Sequence, residues 1–389
     1  MADRLLVIDD EVELGRFVGR VGESVGYEVK VTCRAREFKD VYVRWNPSVI
    51  TLDLAMPEMD GIELLRWLAA ENCHTPIIIM SGFDERVVES AKRIGLERGL
   101  NICAILTKPM RVHDIKGKLE LLKEIKSEPI DKAHIERSFA ERELFLLYQP
   151  KISLKNGSLQ GVEALLRWRH PTHGILLPDL FIALAEETGM IDEMTNFVLL
   201  TALQQQKSWK RQGLDLNIAV NLSPINLHNA RFVENVVDLC AAEDVPPDRI
   251  TLEIKESTAM HHALETVDVL TRLRLKGFRI AIDDFGSGSS SLSWLQRLPI
   301  TEIKIDRPFV KDATSSSDAL IVVKTVIDLA WNMRITSLAE GIETAEHYQL
   351  LADMGCELGQ GDAIAKPLTA EELVRWYETC CGSLVAAKF

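Results

Sequence analysis

The sequence lacks the features of a membrane, secreted or nucleic-acid-binding protein. Its apolar runs are shorter than the roughly 18–20 residues needed to cross a bilayer. The start, MADRLLVIDD, has acidic residues where a signal peptide needs a basic region and a cleavage site. The formal net charge of −13 is opposite in sign to the basic face that binds DNA or RNA. We therefore expect a cytoplasmic protein with no membrane span and no DNA or RNA partner.

Cysteine is also sparse, and its spacing is not that of a metal site. The seven cysteines form no CxxC pair and no Cys/His pattern of the kind found in zinc sites. Cys380 and Cys381 are adjacent, which is a poor geometry for a structural disulfide. The sequence therefore predicts reduced thiols, without a disulfide framework or a zinc centre.

Length and periodicity predict two α/β domains. The 389 residues suit one domain of about 120 residues and one of about 250. Over residues 1–110, five short aliphatic runs alternate with amphipathic segments, which is typical of a doubly wound parallel sheet. The runs are Leu5–Ile8, Tyr27–Val31, Val49–Leu52, Pro76–Met80 and Ile102–Leu106. We expect a first domain at 1–125, a linker at 126–137 interrupted by Pro129, and a second domain at 138–389.

The second domain contains a longer alternation, which predicts a (β/α)8 barrel with its chemistry at the carboxyl ends of the strands. Eight strand candidates are separated mostly by helical stretches. They are Phe145–Tyr148, Leu159–Trp168, Leu216–Asn221, Ile250–Ile254, Phe278–Ile282, Glu302–Ile305, Ile335–Ala339 and Cys356–Gly359.

Polar residues end four strands of the first domain. Asp9 and Asp10 follow the first strand, Asp53 ends the third, Ser81 the fourth and Lys108 the fifth. In an open α/β sheet these ends form the ligand crevice. Clustered carboxylates repel one another unless a cation neutralises them, and Mg²⁺ prefers oxygen ligands. A metal beside Asp53 would allow this carboxylate to attack a phosphoryl donor, with Ser81 and Lys108 binding the transferred oxygens.

These residues, with DLAMPEMDG at 53–61, Ser81-Gly82 and Lys108-Pro109, resemble the receiver domain of response regulators over residues 3–125. The resemblance implies that Asp53 is the phospho-acceptor and that a histidine kinase or phosphotransfer protein is a partner. It also implies one Mg²⁺ or Mn²⁺ held by Asp9, Asp10 and Asp53, and a phosphoryl group bound by Ser81 and Lys108.

One position departs from the receiver pattern. Receivers often carry an aromatic switch residue three positions before the lysine, and here that residue is Ile105. We expect phosphorylation without the usual aromatic rotation.

Acidic residues also cluster at the predicted barrel strand ends. Residues two apart on a strand share a face, so Glu163 and Arg167, Glu253 and Lys255, and Lys304 and Asp306 point inward in pairs. Asp283, Asp284 and Glu340 end further strands. Each acid alone could be a helix cap or a surface residue. Together, five carboxylates cannot all stay ionised without cations, and two divalent ions would restore the balance and activate a water for attack on a phosphodiester.

This set, with Glu163-Ala164-Leu165, resembles the EAL-domain family over about residues 135–380. The resemblance implies a barrel with a modified first strand pair that hydrolyses cyclic di-GMP to the linear dinucleotide. It implies two Mg²⁺ or Mn²⁺ ions, one bound by Glu163, Asn221, Glu253 and Asp283, and the other by Asp283, Asp284 and Glu340. Lys304 corresponds to the lysine that positions the attacking water, and Glu256 to the acid that anchors the loop after Asp284. The substrate-groove positions are Gln149, Arg167, Asp306, Glu343 and Gln360.

Four positions depart from the family pattern. Ser287 and Ser289 stand where threonine or alanine and tyrosine are usual, Lys255 where threonine is usual, and Asp362 where an aromatic is usual. No metal ligand is lost. We expect these changes to affect metal affinity and dimerisation, and hence rate, in a homodimer or higher homo-oligomer.

The sequence leaves three functions open. The first is a phosphorylation-regulated cyclic di-GMP phosphodiesterase. The second is a catalytically weak or silent EAL domain that acts as a cyclic di-GMP receptor, and the third is a barrel that only docks a protein partner. No diguanylate cyclase signature and no helix-turn-helix is present, so nucleotide synthesis and direct transcriptional control are not expected.

Overall fold

The structure is a computed structural model that divides into two compact units, residues 1–130 and 131–389. It describes residues 3–57, 59–71, 73, 75–82, 85–108, 110–127, 130–260, 263–286 and 295–380. Within the predicted linker 126–137, residues 126–127 end one helix and residues 132–137 begin the next.

The first unit is a five-stranded parallel sheet with helices in the intervening segments, as the alternation predicted. Its strands are β1 (Arg4–Ile8), β2 (Glu28–Thr32), β3 (Val49–Asp53), β4 (Ile77–Ser81) and β5 (Ile102–Thr107). The sheet order is β2-β1-β3-β4-β5. Its helices are α1 (Val12–Ser24), α2 (Ala35–Trp45), α3 (Gly61–Ala70), α4 (Glu85–Glu97) and α5 (Val112–Ser127).

The central strands of this sheet are buried on both faces. Leu6 and Ile8 belong to a core cluster with residues of α2, α3 and α4, whereas Leu5 and Val7 belong to a second cluster with residues of α1 and α5. Alternate residues of a strand point to opposite faces. A parallel strand covered on both sides therefore has a continuous aliphatic sequence. This is why these strands could be predicted.

The second unit is a closed eight-stranded barrel. The strands around it are β6 (Leu144–Ser153), β7 (Leu159–His170), β9 (Asn217–Asn221), β10 (Ile250–Lys255), β11 (Arg279–Phe285), β12 (Glu302–Ile305), β13 (Thr336–Ala339) and β14 (Leu358–Gly359). Neighbours pair in the order β6-β14-β13-β12-β11-β10-β9-β7, and β6 closes the ring on β7. Strand β6 is antiparallel to both β7 and β14, and the remaining barrel neighbours are parallel. The predicted barrel and its modified first strand pair are confirmed.

A short ninth strand, β8 (Gly174–Leu176), pairs with the end of β7 outside the ring. Sequence analysis did not predict it, because three residues are too few to show a period of two.

The described helices of the second unit include α6 (Lys132–Ala140), α7 (Ile182–Glu187), α8 (Ile191–Arg211), α9 (Pro224–His228), α10 (Phe232–Glu243), α11 (Glu256–Met260), α12 (Ala263–Leu275), α13 (Arg307–Asp312), α14 (Ser317–Met333), α15 (Ala345–Asp353) and α16 (Ala370–Cys380). Among the residues that the structure describes, no helix combines the length and the apolar character needed to span a membrane.

Two glycines of the first unit test how closely helices pack on this sheet. A Cβ atom added to Gly61 at the start of α3 would lie 2.7 Å from the Asp53 carbonyl oxygen and 2.7 Å from the Leu54 Cα atom. Both contacts are with backbone, so neither can be relieved by a rotamer change. Gly61→Ala is expected to lower the free energy of unfolding of the first unit by about 1–3 kcal/mol.

Gly117 in α5 is the matched control, because a Cβ atom there would meet nothing within 4 Å. Gly117→Ala is expected to stabilise the unit by about 0.5–1 kcal/mol through helix propensity. Urea unfolding of the full chain measures both changes. Equal effects of the two substitutions would show that α3 does not pack on β3 as described.

Candidate active site

In the first unit, a buried ion cluster lies at the carboxyl ends of β1, β3 and β5. The Lys108 ammonium lies 2.8 Å from Asp53 Oδ2 and 3.0 Å from Asp9 Oδ2. Asp9 and Asp53 are buried, and carboxylate oxygens of Asp9, Asp10 and Asp53 lie within 4.8 Å of one another. The Lys108 amide donates to the Ser81 carbonyl at 2.8 Å. The structure thus brings the five predicted residues to one edge of the sheet.

The charges in this pocket are unbalanced. Burial and the charge of Asp53 raise the pKa of Asp9, although Lys108 opposes this. Burial would lower the pKa of Lys108, but hydrogen bonds to Asp53 and Asp9 outweigh it and raise the pKa above its ordinary value. Three carboxylates with one ammonium form an oxygen-donor set that suits a hard divalent cation.

Ile105 lies in β5, partly buried against the cluster that includes residues of α4. The aliphatic side chain at this position therefore packs on the core.

In the second unit, one fully buried ammonium is surrounded by four carboxylates. Lys304 Nζ lies 3.4 Å from Glu163 Oε2, 2.8 Å from Glu253 Oε2, 2.9 Å from Asp283 Oδ1 and 2.7 Å from Glu340 Oε1. Glu163, Glu253, Asp283 and Lys304 lie on barrel strands β7, β10, β11 and β12, and Glu340 follows β13. Residues more than 170 positions apart in sequence therefore meet in one cluster, which we call the Lys304 cluster.

One lysine cannot neutralise four acids, and the pKa values reflect this. Burial raises the pKa of Glu340 well above its ordinary value, with Asp283 and Glu163 adding to the effect. Burial would also raise the pKa of Glu163, but Lys304 and Lys151 outweigh it and lower this pKa to about 2. Burial alone would lower the pKa of Lys304, yet the surrounding acids raise it well above its ordinary value. The ammonium form of Lys304 is therefore favoured within this cluster.

Amide side chains fix the Glu163 carboxylate. Asn221 Nδ2 donates to Glu163 Oε1 at 2.8 Å, and Gln360 Nε2 donates to Glu163 Oε2 at 2.7 Å. Gln360 Nε2 also lies 2.9 Å from Gln149 Oε1. Predicted metal and substrate residues thus form one hydrogen-bonded group.

Asp283, Asp284 and Glu340 form a second oxygen cluster, with carboxylate oxygens within 4.8 Å of one another. Asp284 has a φ of 55°, a left-handed conformation that is uncommon for a non-glycine residue. Lys255 Nζ lies 3.2 Å from Asp284 Oδ2. Lys255, noted above as a departure from the family pattern, therefore contacts a predicted metal ligand.

Glu256 contacts the segment after Asp284. Its Oε2 accepts a hydrogen bond from the Gly286 amide at 2.9 Å. Ser287 and Ser289 lie outside the described residues.

A cavity of about 250 Å³ opens beside the Lys304 cluster. Its lining includes Gln149, Arg167, Glu343 and Gln360, but not Asp306, the fifth residue predicted for the substrate groove. Asp306 instead precedes the first residue of α13.

The lining also includes Arg307, whose Nη2 lies 2.6 Å from Glu343 Oε1, and Asp362. Sequence analysis had not proposed a role for Arg307, although it directly follows the predicted Asp306.

Sequence analysis also missed a second buried lysine. Lys151 Nζ lies 2.7 Å from Glu253 Oε1 and 3.0 Å from Glu302 Oε1. The signal was present, since Lys151 is two residues after Gln149 and Glu302 is two residues before Lys304. The period of a strand places each of them on the same face as its predicted neighbour.

Comparisons with known proteins follow the division into two units. A family model of the EAL domain matches residues 132–367, which is more than half of the chain. A family model of the response regulator receiver domain matches residues 5–120.

Two curated relatives come from Pseudomonas aeruginosa. The cyclic di-GMP phosphodiesterase PA2567 is 40% identical over 236 residues, which cover 61% of this chain and 40% of the relative. The bifunctional diguanylate cyclase/cyclic di-GMP phosphodiesterase MucR is 40% identical over 241 residues, which cover 62% of this chain and 35% of the relative. The chain thus spans less than half the length of either relative.

Solved structures show the same likeness. A PaMucR phosphodiesterase in complex with c-di-GMP matches with a TM-score of 0.60 and 40% identity, over 62% of this chain and 98% of that chain. The FimX EAL domain from Pseudomonas aeruginosa bound to c-di-GMP matches with a TM-score of 0.57 and 23% identity, over 61% of this chain and 95% of that chain. The second of these likenesses concerns the fold alone.

The contact between Lys255 and Asp284 leads to a prediction about cation binding. Two unit charges about 4 Å apart interact by about 1 kcal/mol in water, and a divalent cation carries twice the charge. Lys255→Thr is therefore expected to tighten binding of Mn²⁺ at the Asp283–Asp284–Glu340 cluster by roughly five- to thirty-fold. Isothermal titration of the full chain with Mn²⁺ measures the change.

Lys255→Arg keeps the positive charge and is the matched control, with an affinity close to that of the unaltered protein. If Lys255→Thr and Lys255→Arg bind Mn²⁺ alike, the ammonium does not oppose cation binding at Asp284.

Proposed function

The chain belongs to the EAL domain family, with a response regulator receiver domain ahead of the EAL domain, and we propose that it is a cyclic di-GMP phosphodiesterase controlled by phosphorylation. In this proposal, residues 138–389 hydrolyse cyclic di-GMP to linear pGpG and residues 1–125 accept a phosphoryl group. Residues 126–137 link the two.

The observation that carries the proposal is the Lys304 cluster. Four carboxylates from different strands converge within 3.4 Å of one buried ammonium. An ion pair that served stability alone would balance its charges, because uncompensated buried charge is costly. Such an excess of acid at the mouth of a barrel is suited to cations that act on an anionic substrate.

The donor set fits two divalent cations. Every proposed donor is a carboxylate or amide oxygen, which Mg²⁺ and Mn²⁺ accept as ligands. The first ion would be held by Glu163, Asn221, Glu253 and Asp283, and the second by Asp283, Asp284 and Glu340. Bound there, the cations would lower the pKa of a water molecule and offset the charge that develops on the phosphoryl oxygens.

Lys304 acts as a donor in this proposal. The surrounding acids raise its pKa well above the ordinary value, which favours the ammonium form. Its ammonium can donate a hydrogen bond to the attacking water and hold it in line with the phosphorus. Water adds to phosphorus, the bond from phosphorus to the ribose 3′ oxygen breaks, and a 5′-phosphate and a 3′-hydroxyl result.

The cavity residues supply recognition of the substrate. Arg167 brings a guanidinium to a cavity otherwise rich in acids and amides, and this group pairs well with a phosphate. Arg307 is paired with Glu343, which leaves Arg167 as the proposed phosphate contact. Gln149 and Gln360 offer amide groups beside it.

Regulation in this proposal begins at Asp53. The Lys108 contact and the neighbouring Asp9 and Asp10 suit a cation-assisted transfer from a histidine kinase or a phosphotransfer protein. The phosphorylated receiver would then bias a homodimer or higher homo-oligomer toward a state with altered hydrolysis.

Glu163→Gln tests the catalytic proposal. It replaces a carboxylate oxygen by an amide of the same size, so the fold should persist while a cation ligand is weakened. We expect turnover of cyclic di-GMP at saturating Mg²⁺ or Mn²⁺ to fall by more than about tenfold, as measured by release of pGpG. Glu193→Gln, at an exposed position on α8, is the matched control and should leave turnover unchanged.

Glu163→Gln with more than about a tenth of normal turnover would overturn the assignment of Glu163. An unaltered protein that binds cyclic di-GMP without turnover at any concentration of either cation would instead establish the receptor function.

Asp53→Asn tests the regulatory proposal. Beryllofluoride treatment of the unaltered full chain is expected to change turnover or sedimentation by a coupling of about 1–3 kcal/mol, equivalent to roughly 5- to 150-fold. Asp53→Asn should abolish this response, because the acceptor oxygen is lost. Asp40→Asn, exposed on α2, should keep it. An identical response in Asp53→Asn and the unaltered protein would exclude Asp53 as the acceptor.

A further inference from the structure

A second group of buried charged side chains adjoins the Lys304 cluster, further from the mouth of the barrel. Lys151 Nζ lies between Glu253 Oε1, at 2.7 Å, and Glu302 Oε1, at 3.0 Å. The side chains of Lys151, Glu253 and Glu302 are 4%, 0% and 10% exposed. We call Lys151 and Glu302 the lower pair.

The reversed direction of β6 places Lys151 at this depth. Gln149 pairs with Glu163 and Lys151 pairs with Gly161, so successive inward residues of β6 lie progressively further from the mouth. The register then shifts, because Ile152 pairs with Leu159. Such a bulge re-aims nearby side chains. The lysine therefore reaches across the barrel to β10 and β12.

The two oxygens of Glu253 have different partners. The Lys151 ammonium donates to Oε1 at 2.7 Å, and the Lys304 ammonium donates to Oε2 at 2.8 Å. Two ammonium groups on opposite sides fix the rotation of the carboxylate about its last bond. Oε2 is thereby held toward the Lys304 cluster, where the proposed cation ligands meet.

The lower pair adds no net charge, because Glu302 balances Lys151. A lone lysine at this depth would have reduced the negative charge that attracts cations. A balanced pair holds Glu253 without that loss. The lower pair therefore acts on the site by orienting Glu253, without changing the net charge.

We propose that the lower pair is a positioning device that fixes Glu253 Oε2 in the direction required for cation binding. Lys151 and Glu302 are positioning residues in this inference, which rests on the cation site of the proposed function. Residues that orient metal ligands typically change metal affinity by 10- to 100-fold when they are replaced.

The test is the double variant Lys151→Met/Glu302→Gln, which removes both charges of the lower pair, so that neither Lys151 nor Glu302 remains as an unpaired charge. Mn²⁺ affinity is measured by electron paramagnetic resonance on the full chain, in an Asp10→Asn background that weakens cation binding in the receiver. We expect binding to the barrel to weaken by roughly 10- to 100-fold, with turnover recovering at saturating Mn²⁺ and KM for cyclic di-GMP unchanged.

Two further variants make the comparison specific. Lys324→Met/Asp328→Asn removes another ion pair, the 2.6 Å contact exposed on α14, and should leave Mn²⁺ affinity unchanged. Lys151→Gln/Glu302→Gln keeps an amide that can hydrogen-bond to Glu253, and should recover part of the affinity. If Lys151→Met/Glu302→Gln does not fold, the Mn²⁺ affinity of Lys151→Gln/Glu302→Gln is compared with that of the unaltered protein, and a smaller loss is expected.

A lower-pair variant that is folded and binds Mn²⁺ as tightly as the unaltered protein would overturn the inference. A loss of thermal stability without a change in Mn²⁺ affinity would also overturn it, because that result is what a structural pair would give. Failure of the proposed function is distinguishable, since the unaltered protein would then bind Mn²⁺ in the barrel without hydrolysing cyclic di-GMP.

Discussion

The contact of one buried ammonium with four carboxylates constrains the whole second unit. Lys304 Nζ can reach Glu163, Glu253, Asp283 and Glu340 together only if β7, β10, β11, β12 and β13 bring these residues to the same level of the barrel. The strand register and the closure by β6 supply that alignment. The excess of acid that remains is unfavourable for an isolated fold, and it is also what makes the site attractive to cations. Stability and proposed function oppose each other at this point.

In the first unit, too, the clustered acidic residues reduce stability while forming the proposed cation site. Asp9 and Asp53 share Lys108 and Asp10 lies beside them, and the sheet around them is covered by apolar side chains on both faces. A well-packed core thus supports a locally repulsive pocket. In both units the acidic residues lie on or directly after strands with buried aliphatic residues, so burial of the strands offsets the cost of bringing the acids together.

Sequence analysis recovered the features that depend on local pattern. The strands that carry Asp53 and Glu253 are aliphatic runs with an acid at or near the end, and Glu163 lies within the longer strand β7, so their type and the face of each acid were predictable. What it missed depends on distant alignment. No local pattern indicates that Lys151 contacts Glu302, since the two are brought together by the direction of β6. The same holds for the contact of Lys255 with Asp284, which the register between β10 and β11 determines.

The reversed strand β6 has a consequence for how such a barrel can diverge. Strand β6 and strand β7 are joined by a short turn and paired along nearly their whole length, so the turn fixes which β6 residues face inward. Lengthening it by one residue would exchange the two faces of the strand and replace Gln149 and Lys151 by Pro150 and Ile152. A shift by two would move Lys151 to the level of Glu163 and leave Glu302 unpaired. Insertions and deletions in residues 154–158 are therefore expected to be rare among active descendants of this chain, whereas substitutions at the exposed Lys155 should be tolerated.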